Sequence, residues 1–201
     1  MARLMAVYGS PRRTGNTATL LQAAVEGALG AGAAVEEVVL RDLKLSPCLE
    51  IYGCKHGGRC SINDDFPGLR DRLLACDGLM LASPIFFYTV SAHTKIFMDR
   101  FQSLWVKKYW VDGKPAAGSG PFRKGLLIAV GATRGKKLFD GTLLTVRYFF
   151  DVLDMKLHEA LLFRGLDHEG DVLDHPDYIA AAREAGAALV AAIHDERKGS
   201  P

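Results

Sequence analysis

The sequence predicts an α/β fold, a doubly wound three-layer sandwich in which five parallel strands lie between two layers of helices. Three observations carry that prediction. Strand-like and helix-like periods alternate along the chain, the strand segments are continuous apolar runs rather than alternating ones, and amphipathic helices separate them. Strands of that kind belong to sheets covered on both faces, and right-handed crossovers then wind the chain outward in both directions from the first strand. With 201 residues, of which 49% are hydrophobic and 24% charged, the chain is sized for one domain with a sizeable core and is too apolar for a disordered tract.

The elements follow in order. Arg3 to Tyr8 is the first apolar run, and after a Gly-containing turn Leu20, Leu21, Ala24, Val25, Ala28 and Leu29 share one face of a helix. Ala34 to Leu40 reads as a strand, Phe66 to Ala75 as a short helix, Gly78 to Ala82 as a buried strand and Val90 to Leu104 as a helix. Strand Gly125 to Val130 precedes helix Thr142 to Leu153, and strand Leu157 to Phe163 precedes a last helix. That helix carries a start signal in Asp174 and Pro176 and an apolar stripe of Tyr178, Ile179, Ala182, Leu189 and Ile193. Two stretches carry neither period, Lys44 to Asp65 and Trp105 to Arg123. Structureless loops of about twenty residues are uncommon in a compact domain unless they build a site or move. The expected organisation is one domain over 1–201 with excursions at 44–65 and 105–123.

Composition excludes several functions. Lys and Arg number 25 against 23 Asp and Glu, a formal charge of +2, so nothing in the overall charge points to nucleic acid or a membrane surface, and any anion site must be local. Four cysteines, at 48, 54, 60 and 76, are too few for a secreted disulfide scaffold, and the clustering of three suits a redox or metal site in a reducing compartment. No apolar run approaches the roughly 18 to 20 residues of a spanning helix, and Met1-Ala-Arg-Leu enters the first strand pattern without a signal-peptide apolar region. A cytoplasmic location is expected.

In an open parallel sheet the ligand lies beyond the carboxyl ends of the strands, at the switch point beside the first strand. The segment there is Gly9-Ser10-Pro11-Arg12-Arg13-Thr14-Gly15-Asn16-Thr17, which then opens a helix. Ser10, Thr14 and Thr17 bring hydroxyls, Asn16 an amide, and Arg12 and Arg13 guanidinium groups. Free N–H groups and the positive end of the helix dipole make such a terminus ready for an anion. A Walker loop is excluded, because five residues separate Gly9 from Gly15 and Asn16 stands in place of the lysine. The G-x-G-x-x-G fingerprint of a resident dinucleotide is absent as well. A phosphate monoester fits the segment; the plain alternative is that its Ser, Thr and Asn residues are only helix caps, with Pro11 setting the turn.

After the third strand come Ser83-Pro84-Ile85-Phe86-Phe87-Tyr88-Thr89-Val90 and then Lys95-Ile96-Phe97-Met98-Asp99-Arg100-Phe101. Three adjacent aromatics in a loop at the ligand edge either fold inward or line a pocket for a flat ring. Gly-Ser-Pro-Arg-x-x-Gly-Asn-Thr followed by Ser-Pro-Ile-Phe-Phe and Lys-x-Phe-Met-Asp-Arg-Phe resembles the flavodoxin-like NAD(P)H-dependent FMN reductases, and especially the branch related to the iron–sulfur flavoproteins. The resemblance covers most of residues 1–131 in motif order and only the topology beyond. It implies a flavodoxin-like sheet in the order 2-1-3-4-5, with FMN as cofactor and NAD(P)H as co-substrate. Ser10, Arg12, Thr14, Asn16 and Thr17 would hold the FMN phosphate. Pro84, Ile85, Phe86, Phe87 and Tyr88 would run along the isoalloxazine, and Ala132, Thr133 and Arg134 would approach its other edge. Arg134 is the candidate charge beside flavin N1 and O2; its plain alternative is a solvated arginine beside Lys136 and Lys137. No catalytic acid or base is required, because the hydride chemistry is the cofactor's. The acceptor would be a small oxidant such as free flavin or a quinone, and the protein a homodimer or higher homo-oligomer.

The iron–sulfur flavoproteins are similar in a compact cysteine segment, C-x2-C-x2-C and then a fourth cysteine. Cys48, Cys54 and Cys60 fall on three of those places, but Ile51 occupies the remaining one and cannot ligate iron. A cluster is therefore disfavoured unless His56 substitutes. Zinc on Cys48, Cys54, His56 and Cys60 would need a spacing that matches no standard motif. The third reading is of reduced, partly buried thiols packing through Ile51 and Tyr52 and open to disulfide formation on oxidation. A C-x5-R phosphatase loop is excluded because Arg59 is the fifth residue after Cys54. Cys76 reads as core, and His93 and Lys95 as solvated helix residues. Trp105, Tyr109 and Trp110 could roof the flavin pocket, form a dimer core or serve as a hydrophobic anchor. Three functions remain: an FMN-dependent NAD(P)H oxidoreductase, an electron-transfer flavoprotein with a metal centre, and a non-enzymatic module for a phosphate ligand.

Overall fold

A computed structural model describes residues 1–113 and 123–199. The strands are β1 (Arg3–Tyr8), β2 (Ala34–Val39), β3 (Gly78–Phe86), β4 (Thr89–Val90), β5 (Arg123–Gly131) and β6 (Met155–Arg164). The helices are α1 (Asn16–Gly30), α2 (Phe66–Leu74), α3 (Ala92–Arg100), α4 (Gln102–Val106), α5 (Asp140–Val152) and α6 (Pro176–Gly199). Five strands form one parallel sheet in the order β2-β1-β3-β5-β6. Apart from the short hairpin strand β4, this is the expected order. The pleat of the continuous apolar runs explains the layers. Leu4, Ala6, Met80, Ala82, Leu126 and Ile128 face the α1 and α6 side, and Met5, Val7, Leu79, Leu81, Leu127 and Ala129 face the other, where Phe66, Phe97, Phe101, Phe149 and Phe150 gather.

The α1–α6 layer depends on two glycines. A Cβ on Gly27 would lie 1.9 Å from the carbonyl oxygen of Arg183, and one on Gly186 would lie 2.0 Å from that of Ala24, so the helices approach nearly backbone to backbone.

Several boundaries differ from the sequence reading. β3 continues past Ala82 to Phe86, because its last residues gain an antiparallel partner, Ile85 opposite Val90 and Phe86 opposite Thr89. Pro84 is consequently in a strand, opposite Val130. The helix expected from Val90 starts only after Ser91, whose Oγ accepts the Thr94 N–H at 3.2 Å, and it breaks at Phe101. Leu29, expected on the buried stripe of α1, is 50% exposed.

The two irregular stretches also resolve. Residues 105–111 are helical, the end of α4 followed by a π-helical turn over Lys107–Val111. The rest of that excursion, 114–122, lies outside the described residues. Segment 44–65 holds one short 3-10 turn, Gly53–Lys55, and its ends are zipped together. Lys44 N donates to Asp65 at 2.7 Å, Ser46 N donates to Asp64 at 2.9 Å, and the Arg100 guanidinium donates to the Ser46 carbonyl at 2.9 Å while pairing with Asp64. Arg100 is 1% exposed, and its guanidinium lies over the Phe66 ring at 4.6 Å. The excursion is thus anchored on the aromatic core through a buried ion pair.

Candidate functional site

Loops from the carboxyl ends of β1, β3, β5 and β6 converge on one cleft of about 120 Å3. β1 ends at Gly9, whose N–H reaches the Ala82 carbonyl at 2.8 Å. A Cβ there would lie 2.0 Å from Thr94 Oγ1 and 2.8 Å from that carbonyl, so only glycine lets the chain leave the sheet at this point. The Ser91 hydroxyl donates to the Gly9 carbonyl from the other side. Ser10 then turns the backbone, its buried Oγ accepting the Arg12 N–H at 3.1 Å.

The head of α1 is open. Gly15 is its N-cap in an extended conformation, and no side chain caps it, so the plain reading of Ser, Thr and Asn as caps does not hold. Among the described residues, the backbone N–H groups of Arg13, Thr14, Gly15, Asn16 and Thr17 have no acceptor. Five consecutive unpaired donors at the positive end of a helix make an anion cradle. Ser10, Arg12, Gly15, Asn16 and Thr17 line the cleft beside it.

The predicted phosphate residues divide. Ser10 and Thr17 are buried at the cleft wall. Arg12 lines it too, its guanidinium braced on the Asp167 carbonyl at 3.1 Å. Asn16 differs in role, because its Nδ2 donates to the His168 carbonyl at 2.8 Å and its Oδ1 accepts the Val172 N–H at 3.2 Å. The amide is a brace, and only its backbone N–H is free. Thr14 is exposed, outside the cleft lining, and gives its hydroxyl to Glu169. Arg13 is drawn away to Asp42 at 2.5 Å.

On the opposite wall Pro84, Ile85 and Phe86 line the cleft. Phe87 and Tyr88 do not, since they form the two-residue turn of the β3–β4 hairpin, both at positive φ (50° and 62°). Phe87 is fully exposed. Tyr88 lies along the next loop, with its hydroxyl 3.4 Å from where a Gly135 Cβ would be. After β5, Ala132 lines the cleft, whereas Thr133 and Arg134 are exposed outside it. Arg134 is folded over Gly165, where an added Cβ would meet its guanidinium at 2.7 Å.

Sequence reasoning missed the β6–α6 loop. Leu166 and Asp167 line the cleft, and the carbonyls of Asp167 and His168 receive Arg12 and Asn16. Asp171 shapes this loop by accepting the N–H groups of Asp167 and His168, each at 2.8 Å, and those donors hold its carboxyl below the usual carboxylate range. A signal existed in Gly165-Leu166-Asp167-His168-Glu169-Gly170, a polar, glycine-bounded run directly after a strand.

Trp105, Tyr109 and Trp110 are not among the residues that line this cleft within one chain. Trp105 and Trp110 wall a separate, largely apolar cavity of about 180 Å3 with Cys48, Cys54 and Cys60. Among the described residues no group of three or more His, Cys, Asp or Glu is placed to hold a metal ion, and no helix is long and apolar enough to cross a membrane. Lys95 forms an ion pair with Asp99 at 2.6 Å, and Cys76 is buried.

The family model described as NADPH-dependent FMN reductase matches residues 2–161. The chain belongs to that family. Among relatives of this reductase-family chain, an iron–sulfur flavoprotein of Methanocaldococcus jannaschii is 36% identical over 102 residues, 51% of this chain and 53% of the relative. YwqN of Bacillus subtilis, named as an NAD(P)H-dependent FMN-containing oxidoreductase, is 26% identical over 182 residues, 90% of this chain and 95% of the relative. A solved flavone reductase superposes with a TM-score of 0.72 at 19% identity, over 96% of this chain and 63% of that one; this likeness shows the flavodoxin-like fold. The chain spans about half the length of the first curated relatives it matches, 53%, 44% and 60%.

Proposed function

We propose that the chain binds FMN in the cleft at the head of α1 and acts as an NAD(P)H-dependent oxidoreductase that passes electrons to a small acceptor such as flavin or a quinone. One observation carries the reading: of the five unpaired N–H groups at the head of α1, those of Gly15, Asn16 and Thr17 belong to residues lining a cleft whose opposite wall is Pro84–Phe86. A phosphate monoester answers the first feature and a flat ring the second. FMN, when bound, supplies hydride acceptance from a nicotinamide and electron delivery to the acceptor.

The protein's own residues bind and orient. The N–H groups of residues 13–17, the Ser10 and Thr17 hydroxyls and the Arg12 guanidinium hold the phosphate, with Asn16 fixing the β6–α6 loop behind them. Pro84, Ile85 and Phe86 give the ring an apolar wall, and Phe87 and Tyr88 extend it to the rim. Ala132 borders the other edge, and Thr133 and Arg134 continue it outward, where a positive charge favours negative charge on the ring. Thr14 reaches the phosphate only by releasing Glu169. The same reading assigns a cytoplasmic location, and it assigns a homodimer or higher homo-oligomer, for which the exposed Phe86, Phe87 and Trp110 are the support.

The test is to reconstitute the protein with FMN, remove the excess and titrate anaerobically with NADPH and with NADH. One flavin per chain, bleached by at least one nicotinamide, is expected. A colourless protein that acquires no flavin contradicts the reading, and a bound flavin that neither nicotinamide reduces turns it into an electron carrier.

A further inference from the structure

The flavin cleft leaves the thiols of the 44–65 excursion unused. Cys48, Cys54 and Cys60 all line the cavity walled by Trp105 and Trp110, and within it Cys54 and Cys60 are drawn together by the backbone. Five residues separate them, and the loop they bound closes at its base: a Cβ on Gly53 would lie 3.0 Å from the Ser61 Cβ. The residues immediately outside the two cysteines are therefore in contact. Within the loop, Gly58 N returns to the Cys54 carbonyl at 2.7 Å.

The two sulfurs have different surroundings. Nη2 of the buried Arg100 donates to Cys60 Sγ at 3.4 Å, while the same guanidinium is fixed by Asp64 and the Ser46 carbonyl. The contact fixes the Cys60 sulfur beside a positive charge, and in thiol chemistry the thiolate is the nucleophile. Cys54, partly buried like Cys60, sits on the short Gly53–Lys55 turn and has no such cation bonded to its sulfur among the described residues. A fixed cation on one thiol and a second thiol across a closed loop describe an attacking sulfur and a resolving one. The largely apolar cavity suits a small uncharged oxidant.

We propose that Cys60 and Cys54 form a dithiol site that reduces hydroperoxides and closes to a disulfide. The Cys60 thiolate attacks the terminal peroxide oxygen, the O–O bond breaks, and the leaving oxygen takes a proton to become an alcohol, or water when the oxidant is hydrogen peroxide. Cys60 is then a sulfenic acid. The Cys54 sulfur attacks Cys60 Sγ, the S–O bond breaks, and the hydroxyl departs as water with the proton from Cys54. Two thiols lose two electrons and two protons, and the hydroperoxide becomes alcohol and water.

The experiment treats the full chain, under chelator, with one equivalent of hydrogen peroxide, then counts thiols after denaturation and maps the linked peptides. Two of the four thiols should disappear, return with dithiothreitol, and map to a Cys54–Cys60 link within one chain. C48S should behave as the parent, C60S should lose no thiols under this treatment, and C54S should stop at a sulfenic acid trapped by dimedone on Cys60. A link that includes Cys48, a sulfenic acid first on Cys54, a link between chains, or no thiol loss in the parent each overturns the proposal. Trp105 and Trp110 line the same cavity, so a change in tryptophan emission should track disulfide formation in the parent and in C48S, and be absent in C54S and C60S.

Discussion

Asn16 shows how a residue that the sequence brings to the cleft can act differently in the fold. Its position at the head of a helix, in a run of polar donors, marked it as a ligand for phosphate, yet both ends of its amide are committed to residues 168 and 172. Nothing local reveals this, because the partners lie more than 150 residues away in sequence. The placement of Ser10, Arg12 and Thr17 at the cleft was legible because it needs only the turn and the helix start, which are local. Asn16→Ala removes both bonds and leaves a buried backbone N–H at Val172 without its acceptor. The expected loss is about 1–3 kcal/mol of stability, read as a lower urea midpoint at unchanged slope. An unchanged midpoint would mean that the β6–α6 loop is held by other contacts.

Among the elements, the β3–β4 hairpin carries the clearest conflict between local preference and observed conformation. Two-residue turns with both central residues at positive φ favour Asn-Gly, yet Phe87 and Tyr88 occupy these positions. Bulky residues in the left-handed region cost of order 1–3 kcal/mol each, so this turn keeps its aromatics at the expense of stability. Replacing the pair by Phe87→Asn with Tyr88→Gly should raise stability by about 1–2 kcal/mol and raise the melting temperature, while weakening flavin binding. A variant that gains stability and keeps full flavin affinity would remove Phe87 and Tyr88 from the site. The hairpin itself was hidden from periodicity: β4 is two residues long, too short to show an alternation, and a proline such as Pro84 is uncommon inside a strand. The helical continuation past Leu104, with its π-helical turn, was hidden for a related reason, since Lys107 and Lys108 interrupt the apolar period and are instead held by Asp112 and Asp154, each at 2.6 Å.

Across the whole molecule, the parallel sheet and its two cores were the most legible features, because strands buried on both faces must be apolar throughout and that pattern is visible without any contact information. How the 44–65 excursion is tied down was not, since the tie runs through Asp64 and Arg100, 36 residues apart. Burial by itself pushes the Asp64 carboxyl up, but Arg100 and the N–H groups of Ser46 and Phe66 outweigh it and hold the carboxyl below its usual range. A depressed folded-state value means that the stabilisation is fully present above the unfolded value of about 3.9 and is lost as pH falls through the folded one. Acid unfolding should therefore show a contribution that Asp64→Asn abolishes. That substitution leaves the Arg100 charge without its partner, and should also cost about 3–5 kcal/mol at neutral pH. An acid midpoint and a neutral-pH stability both unaffected by Asp64→Asn would contradict the anchoring role.

The central claim is that the unpaired N–H groups at the head of α1, with Arg12, bind a phosphate monoester. Parallel titration of flavin-free protein with FMN and with riboflavin, followed by quenching of flavin fluorescence, tests it most directly, because the two ligands share the ring and differ in the phosphate. FMN should bind at least about tenfold more tightly, as expected for charge-assisted hydrogen bonds of about 1.5–3 kcal/mol, and Arg12→Ala should narrow the gap by weakening FMN alone. Equal affinities for the two flavins, or a gap that Arg12→Ala leaves intact while weakening both, would contradict the phosphate cradle and the function built on it.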